Sequence, residues 1–486
     1  MTPENLLDLL DDIQNTKAET QTLELKAAHT GCPKKLYGTI SSFANQDEGG
    51  VIVFGIDESN DFNEIGVLDP QTLQKNFNNQ CKEMEPIVRP VLTVAQKDGK
   101  SFVCAEIPGI DLTKRPCFYR GHGRTKGSYV RVGDSDETMT EYEVYSYEAF
   151  RNHTKDEMRK IERVDIPAID QDALTKFLIT LKSDRANLSR LSDIDICRLT
   201  GIVVDGVPSL ATLLLFGLYP QAFVQQLCIL ATVVPGTEVG ETNDEGARFI
   251  DNERIEGTLP EMFEQAMRFV RRNVRVSTVI NPLTGLREDR SDYSFEAIRE
   301  AVLNALVHRD YSRYTEGQPI QLQIFDNRIV ITNPGGLYGR TRMIDLGKKG
   351  QPDTRNPTIA GVLEKLSITE NRYSGIPIMR KRTQEQGLPE PLFSSDRGTF
   401  TVTFNKRNEE TIKRRQKSSS NKTQAELLEF CREARTRDEI VAFVGVSNTQ
   451  YAIRHYVKPL LISGKLALTD PDHPRSRKQS YIATRR

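Results

Sequence analysis

The chain has 486 residues, 66 Lys+Arg against 67 Asp+Glu, and 37% hydrophobic residues, which is room for about three domains with cores of their own at ~150 residues each. A net charge of -1 excludes a uniformly basic nucleic-acid coat, and no run approaches the ~18 apolar residues of a membrane span. The seven cysteines are scattered with no CxxC, so a zinc ribbon and a disulfide framework are excluded and a soluble, cytoplasmic protein with reduced thiols is expected.

The acidic, amphipathic start MTPENLLDLLDDIQ is not a signal peptide and predicts a helix over Asn5 to Gln14. A short strand, Thr22 to Lys26, is followed by a helix over Lys34 to Ala44 and a buried strand, Val51 to Gly55. Further strands are expected at Val91 to Ala95, Ser101 to Ile107 and Ser128 to Val132, which makes residues 1–150 one mixed α/β domain. Arg151 to Arg163 has the composition of a connecting helix, and residues 151–290 are expected to be a helical connector. Within it Asp193 to Thr200 and Pro208 to Gly217 resemble two helices joined by a turn, expected as a helical scaffold without a ligand, with a helix-turn-helix as the alternative. Helix Phe295 to His308 and strands Ile320 to Phe325, Arg328 to Thr332 and Gly398 to Phe404 set out a third domain, 291–405. A basic, Ser-rich linker, 406–422, leads to a small final domain, 423–486.

Three constellations carry chemistry. Glu24 and Lys26 are two apart on a strand and share one face, with Glu19 in the loop before them and Asp57 closing the strand VIVFGID. Carboxylates and a lysine so placed suit a hard divalent cation, Mg2+ or Mn2+, and a phosphodiester. On the predicted helix Phe295 to His308, residues Glu300, Asn304 and His308 are four apart and therefore expected on one face. Such a Glu and Asn can position water and Mg2+ over the phosphates of ATP. From Asn405 to Arg486 there are 18 Lys+Arg against 9 Asp+Glu, a balance of +9 on a body of -10. Helix, helix, helix, hairpin in residues 423–486 reads as a winged helix, with Gln450 and Arg454 on the recognition helix and Arg475, Arg477 and Lys478 in the wing, suited to phosphates and a groove.

The blocks ETQTLELK, SSFANQDEGGVIVFGIDES and RPCFYRGHGRTKGSYVRVGDSDE occur in that order over about residues 15–137, and together resemble the Schlafen/AlbA-type domain. The resemblance implies a nucleic-acid-handling α/β domain and, by analogy with Schlafen nucleases, catalytic and metal-binding roles for Glu19, Glu24, Lys26 and Asp57; Arg131, in the third block, is expected to contact nucleic acid. Glu300-x3-Asn304, followed by IVITNPGGL and by Asn371-Arg-Tyr-Ser-Gly375-Ile-Pro, resembles a divergent GHKL-type ATPase, an α/β sandwich. That resemblance implies Glu300 as the base-like residue, Asn304 as the Mg2+ ligand, Asn333, Gly335 and Gly336 at the adenine-side turn, and Gly375 at the phosphate lid. Asn333 stands where the family has an aspartate, and the second glycine motif is reduced to SGIP. The expected whole is a multidomain α/β and α+β protein that binds RNA or DNA, a metal-dependent endonuclease under nucleotide control, with weak ATPase activity, that forms a homo-oligomer and stays off membranes. Architectures of this kind imply bacterial regulation or phage defence; the alternative function is a non-enzymatic DNA-binding transcriptional regulator.

Overall fold

The first helix starts where chemistry allows it: the Thr2 hydroxyl accepts from the Asn5 N–H, and Pro3 occupies a position with no intrahelical N–H to lose. This helix, α1 (Pro3–Thr16), buries Leu6, Leu10 and Ile13 along one stripe. The computed structural model describes the chain except residues 162–167, 281–286, 349–352, 370–374, 397, 408–423, 445–452, 471–478 and 485–486. It divides into two units, Met1–Lys406 and Arg407–Arg486.

The first unit opens with a four-stranded sheet of β1 (Leu23–Lys26), β2 (Gly50–Phe54), β3 (Val91–Lys97) and β4 (Lys100–Ile107), in the order β1-β2-β4-β3. β1 runs parallel to β2, with Leu23 opposite Val51, and the other pairs are antiparallel. Alternation along the strands divides the core in two. Leu23, Leu25 and Val53 pack under α1, while Ile52 and Phe54 pack with α2 (Tyr37–Ala44) and α3 (Pro70–Lys82) on the opposite face. Glu24 and Lys26 are therefore on the α2 side. A ribbon of β5 (Tyr129–Val132) and β6 (Ser135–Thr138) follows, with Arg131 directly opposite Asp136. Then comes α4 (Glu141–Arg151), held at its start by a capping box between Thr140 and Glu143.

The stretch expected to be a helical connector is not a separate body. It holds α5 (Gln171–Asp184), α6 (Asp193–Leu199) and α7 (Leu210–Phe216), but also β7 (Ile229–Val233) and β8 (Asp251–Ile255). These two strands join β9 (Ile320–Ile324), β10 (Arg328–Pro334), β11 (Leu392–Asp396) and β12 (Thr399–Asn405) in one six-stranded sheet, ordered β8-β7-β9-β10-β12-β11. One apolar core runs from Ile169 through α7, α8 (Leu259–Asn273) and α9 (Phe295–His308) to Phe404. The boundary expected at residue 290 thus falls inside a domain. The helix-turn-helix expectation fails for a related reason: every residue of α7 is buried, so that helix has no face left for a groove.

The helix expected over Arg151 to Arg163 is a single 3-10 turn, Asp156–Met158, with residues 162–167 outside the described set. The chain departs from helix there because Glu157, wholly buried, is used elsewhere. Its carboxylate accepts from the Thr358 N–H at 2.7 Å and the Ile359 N–H at 2.8 Å, at the start of α10 (Pro357–Lys365). An acceptor more than 200 residues away in sequence does for α10 what a side-chain N-cap does elsewhere. α11 (Gly375–Glu385) completes this unit.

The second unit contains α12 (Gln424–Phe430), α13 (Arg437–Val444) and α14 (Lys458–Ile462), with β13 (Arg435–Thr436), β14 (Leu466–Leu468) and β15 (Ser480–Ala483) in the order β13-β15-β14. Leu427, Cys431, Ile440, Leu460 and Tyr481 form its small core.

Replacing Glu157 by Ala is expected to destabilise the protein by about 1–3 kcal/mol for each N–H left unpaired. Glu157→Gln, which keeps one oxygen acceptor, is expected to fall between Ala and the parent in urea unfolding midpoints.

Candidate functional site

Two clusters in the first unit carry the residues singled out by sequence. The first lies at the edge of the N-terminal sheet. Because β1 alternates, Leu25 goes to the core while Glu24 and Lys26 turn to the other face, where Lys26 is ion-paired with Glu24. Glu19 reaches back from the preceding loop, and its Oε1 accepts from the Leu25 N–H at 2.6 Å. Burial, then the nearby Glu24 charge, raises the Glu19 pKa above the ordinary value, although the Leu25 N–H opposes the rise.

At the centre of this cluster is Arg131, 3% exposed. Its guanidinium lies 2.7 Å from Glu24, 3.1 Å from Asp136 and 3.7 Å from Glu19, over the Phe43 ring. Asp136 also accepts from the hydroxyls of Thr39 and Ser42. Arg131 was expected at a nucleic-acid surface; it is instead the buried counter-charge of three carboxylates and presents nothing to a phosphate. Asp57 lies at a half-buried strand end and accepts from the Ser59 hydroxyl at 2.7 Å. Among the described residues, no group of three or more His, Cys, Asp or Glu side chains could hold a metal ion. Glu19, Glu24 and Asp57 thus do not converge on a cation in this conformation, because Arg131 supplies the positive charge the first two need.

The second cluster lines a cavity of about 440 Å3, within the size range of small-molecule sites. α9 contributes Ala301, Asn304, Ala305 and His308, the i, i+3, i+4, i+7 stripe of one helix face. Glu300 is half-buried on the neighbouring stripe, ion-paired with Arg299 at 2.7 Å, and is not among the lining residues. Residues four apart drift about 40° around a helix, so Glu300 and His308 are about 80° apart and do not share the cavity. Asn304, Asn333, Gly335, Gly336 and Gly375 all line it. Gly375 approaches Asn304 so closely that a Cβ there would lie 2.7 Å from Nδ2.

One end of the cavity is apolar. Ile331, Met379, Phe400 and Val402 line it, and Asn333 stands opposite Phe400 in the β10–β12 ladder. Asn333 is 4% exposed and its Oδ1 has no hydrogen-bond partner among the described residues. Arg340, Lys348 and Arg355 bring positive charge to the lining. His308 is exposed to the cavity, and desolvation by the surrounding protein and then Arg355 push its pKa down to about 4.

Behind the cavity is a group that sequence reading missed. Asp310, 5% exposed, takes Arg355 at 2.6 Å, the Ser312 N–H at 2.8 Å and the Tyr142 hydroxyl at 2.8 Å. Arg355 also donates to the Gly336 carbonyl and covers the Tyr338 ring. Gly335, with φ +99°, admits this packing: a Cβ would lie 2.5 Å from Arg355 Nη1 and 2.6 Å from Asp310 Cβ. Tyr142 belongs to α4, the last helix of the N-terminal domain. It also lines a second cavity, of about 740 Å3, between that domain and residues 336–345. Gly336, Leu337, Arg340, Thr341 and Asp345 line both cavities. The motif His308-Arg309-Asp310 was visible in sequence, but nothing local marked Asp310 as the junction.

Of the residues assigned to the C-terminal domain, Gln450, Arg475, Arg477 and Lys478 lie outside the described residues, as do 371–374 of the expected lid. The backbone of Arg454 lies in the helical turn Ile453–Val457.

With this geometry in view, the comparisons with known proteins are informative. Residues 19–140 match the family described as Schlafen, AlbA_2, and residues 317–404 match the family described as Putative ATP-dependent DNA helicase recG C-terminal, HATPase_c_4. The chain carries a Schlafen/AlbA_2 domain and, after it, a HATPase_c_4 domain. The first match contains Glu19, Glu24, Lys26, Asp57 and Arg131; the second contains Asn333, Asp353 and Arg355 but begins after Asn304. Two solved structures are similar. The DIP2311 protein from Corynebacterium diphtheriae is 17% identical, with 99% of this chain and 97% of that chain covered and a TM-score of 0.39. The N-terminal domain of a putative ATP-dependent DNA helicase RecG-related protein from Nitrosomonas europaea is 27% identical, over 27% of this chain and 92% of that chain, with a TM-score of 0.22. Neither superposition is close enough to define the fold. No curated protein matches the chain. No helix among the described residues is long and apolar enough to cross a membrane.

Two measurements test this geometry. Arg131→Ala leaves Glu24 buried without its guanidinium and is expected to destabilise the protein by about 3–5 kcal/mol in denaturant unfolding. Burial would raise the Asp310 carboxyl, but Arg355, the Ser312 N–H and Tyr142 outweigh it and hold the group below the ordinary carboxylate range. Its stabilisation is therefore complete above the unfolded-state pKa of about 3.9 and is lost as pH falls through the lower folded value. Asp310→Asn is expected to lower stability at pH 7 and to flatten the acid limb of a stability–pH curve.

Proposed function

We propose that this protein is a nucleotide-responsive nucleic-acid-binding regulator, in which the HATPase_c_4 cavity takes a purine nucleoside triphosphate with Mg2+ and the Schlafen/AlbA_2 domain responds. The observation that carries the reading is the composition of the cavity. A buried Asn333 with a free acceptor stands among apolar side chains suited to a base, cations suited to phosphates share the lining, and Asp310 joins it to Tyr142 of the N-terminal domain. Asn304, beside Gly375, is the residue that would hold the Mg2+, which supplies charge neutralisation at the phosphates. Glu300, engaged by Arg299, is poorly placed as a base, so nucleotide binding rather than rapid turnover is the expected behaviour.

The second unit supports nucleic acid as the partner. Its three helices and β13-β15-β14 sheet have the element order of a winged helix, on a chain segment with a balance of +9. RNA and DNA both fit these features, and a homo-oligomer is compatible with them. The metal-dependent endonuclease keeps one observation in its favour: Glu19, Glu24 and Lys26 do meet at one sheet edge. It would require Arg131 to yield its place to a cation. Transcriptional control and phage defence are both roles that such a nucleotide-responsive protein could fill.

Asn304→Ala is expected to weaken Mg-ATP binding by about tenfold or more in calorimetry, the loss of one contact to a charged partner, while leaving the unfolding midpoint close to the parent. No Mg-ATP binding by the parent would overturn the reading. Removing residues 407–486 is expected to lower nucleic-acid affinity and to flatten its dependence on salt. Incubating tRNA, single-stranded RNA, single-stranded DNA and duplex DNA with Mg2+ or Mn2+ separates the two readings: intact nucleic acid is expected, and cleavage lost in Glu24→Gln would establish the nuclease.

A further inference from the structure

We infer that the cavity is a purine site with relaxed base selectivity, binding guanine nucleotides nearly as well as adenine nucleotides, and that Asn333 is the residue responsible. The inference rests on the proposed reading that the cavity takes a nucleoside triphosphate. Asn333 is in the apolar end of the cavity, opposite Phe400 on the neighbouring strand and beside Ile331 and Val402. It is nine-tenths buried and more, and its Oδ1 has no hydrogen-bond partner among the described residues. A buried acceptor in a lined cavity is costly unless a ligand donor meets it.

The chemistry of that ligand follows from the amide. A carboxylate at this position would offer acceptors only. It would take the exocyclic amino group of adenine and repel the O6 carbonyl of guanine. An asparagine holds an acceptor and a two-proton donor on one planar group, and a half-turn about its last torsion exchanges them. In one orientation Oδ1 accepts from the adenine amino group. In the other, Nδ2 donates to guanine O6. The apolar walls of Ile331, Met379, Phe400 and Val402 pack against either purine ring without regard to its polar edge. Those four side chains carry no nitrogen or oxygen atom, and Asn333 is the buried amide on the strand it shares with Ile331, facing Phe400 across the ladder.

The test is calorimetry on the full chain with Mg2+ and, in turn, ATP, GTP, ITP and CTP, for the parent and two variants. The parent is expected to bind ATP, GTP and ITP within about tenfold of one another, a spread smaller than one polar contact normally enforces. Asn333→Asp is expected to lose GTP and ITP by at least about tenfold more than ATP, since only the acceptor remains. Asn333→Ala, which adds no buried charge and guards against a misfolded aspartate variant, is expected to weaken the three purines alike. Tight ATP binding with GTP about a hundredfold weaker in the parent would overturn the inference while leaving the nucleotide reading intact. So would an unchanged ATP-to-GTP ratio in a folded Asn333→Asp protein. Failure of all four nucleotides to bind would remove both.

Discussion

Arg355 and Asp310 form the contact on which this architecture depends. Two charges taken out of water cost several kcal/mol each unless geometry and hydrogen bonds compensate. Here Asp310 is satisfied by Arg355, by the Ser312 N–H and by Tyr142, while Arg355 also donates to the Gly336 carbonyl. The Gly335 backbone at φ +99° lets the pair approach the cavity wall. Arg355 is therefore tied to the Gly336 backbone and, through Asp310, to Tyr142 of α4 in the N-terminal domain. Residues 336–345 also line both cavities in part.

The N-terminal cluster obeys the same electrostatic logic with a different outcome. Glu24 is buried beside Arg131 and Lys26, with Glu19 nearby, so the positive charge that a cation would bring is already provided by side chains. Glu24 is thereby placed as a structural carboxylate in this conformation. Displacing Arg131 would leave a charge-poor space next to at least two carboxylates, which is why metal-dependent cleavage and structural pairing are alternatives for the same atoms. A buried ion pair of this kind is worth more as a constraint on packing than as net stability.

Much of the fold was legible from local patterns. Period-two alternation placed Glu24 and Lys26 together, and the four-residue spacing along α9 put Asn304 and His308 on the side that lines the cavity. Glu300 was placed one stripe too far because a four-residue spacing was treated as a straight line, whereas a helix turns slightly past it. Arg131 was expected to contact nucleic acid; its burial is decided by Glu24 and Asp136, the first more than 100 residues away in sequence. Tyr142 and Asp310 are 168 residues apart, and no spacing rule connects them. The strands β7 and β8 were missed for the same reason: β7 pairs with β9, which follows only after α8 and α9, and β8 pairs with β7 at the sheet edge.

The most direct measurement is the affinity of full-length protein for a labelled nucleic acid, taken with and without saturating Mg-ATP, in the parent and in Tyr142→Phe. The substitution removes one hydroxyl from Asp310, and Tyr142 is not itself a lining residue of the smaller cavity. In the parent, Mg-ATP is expected to change the affinity by about fivefold or more, the lower end of typical coupling between sites. In Tyr142→Phe, nucleotide binding is expected to persist while that change shrinks. A parent whose nucleic-acid affinity is identical with and without bound Mg-ATP would contradict the account.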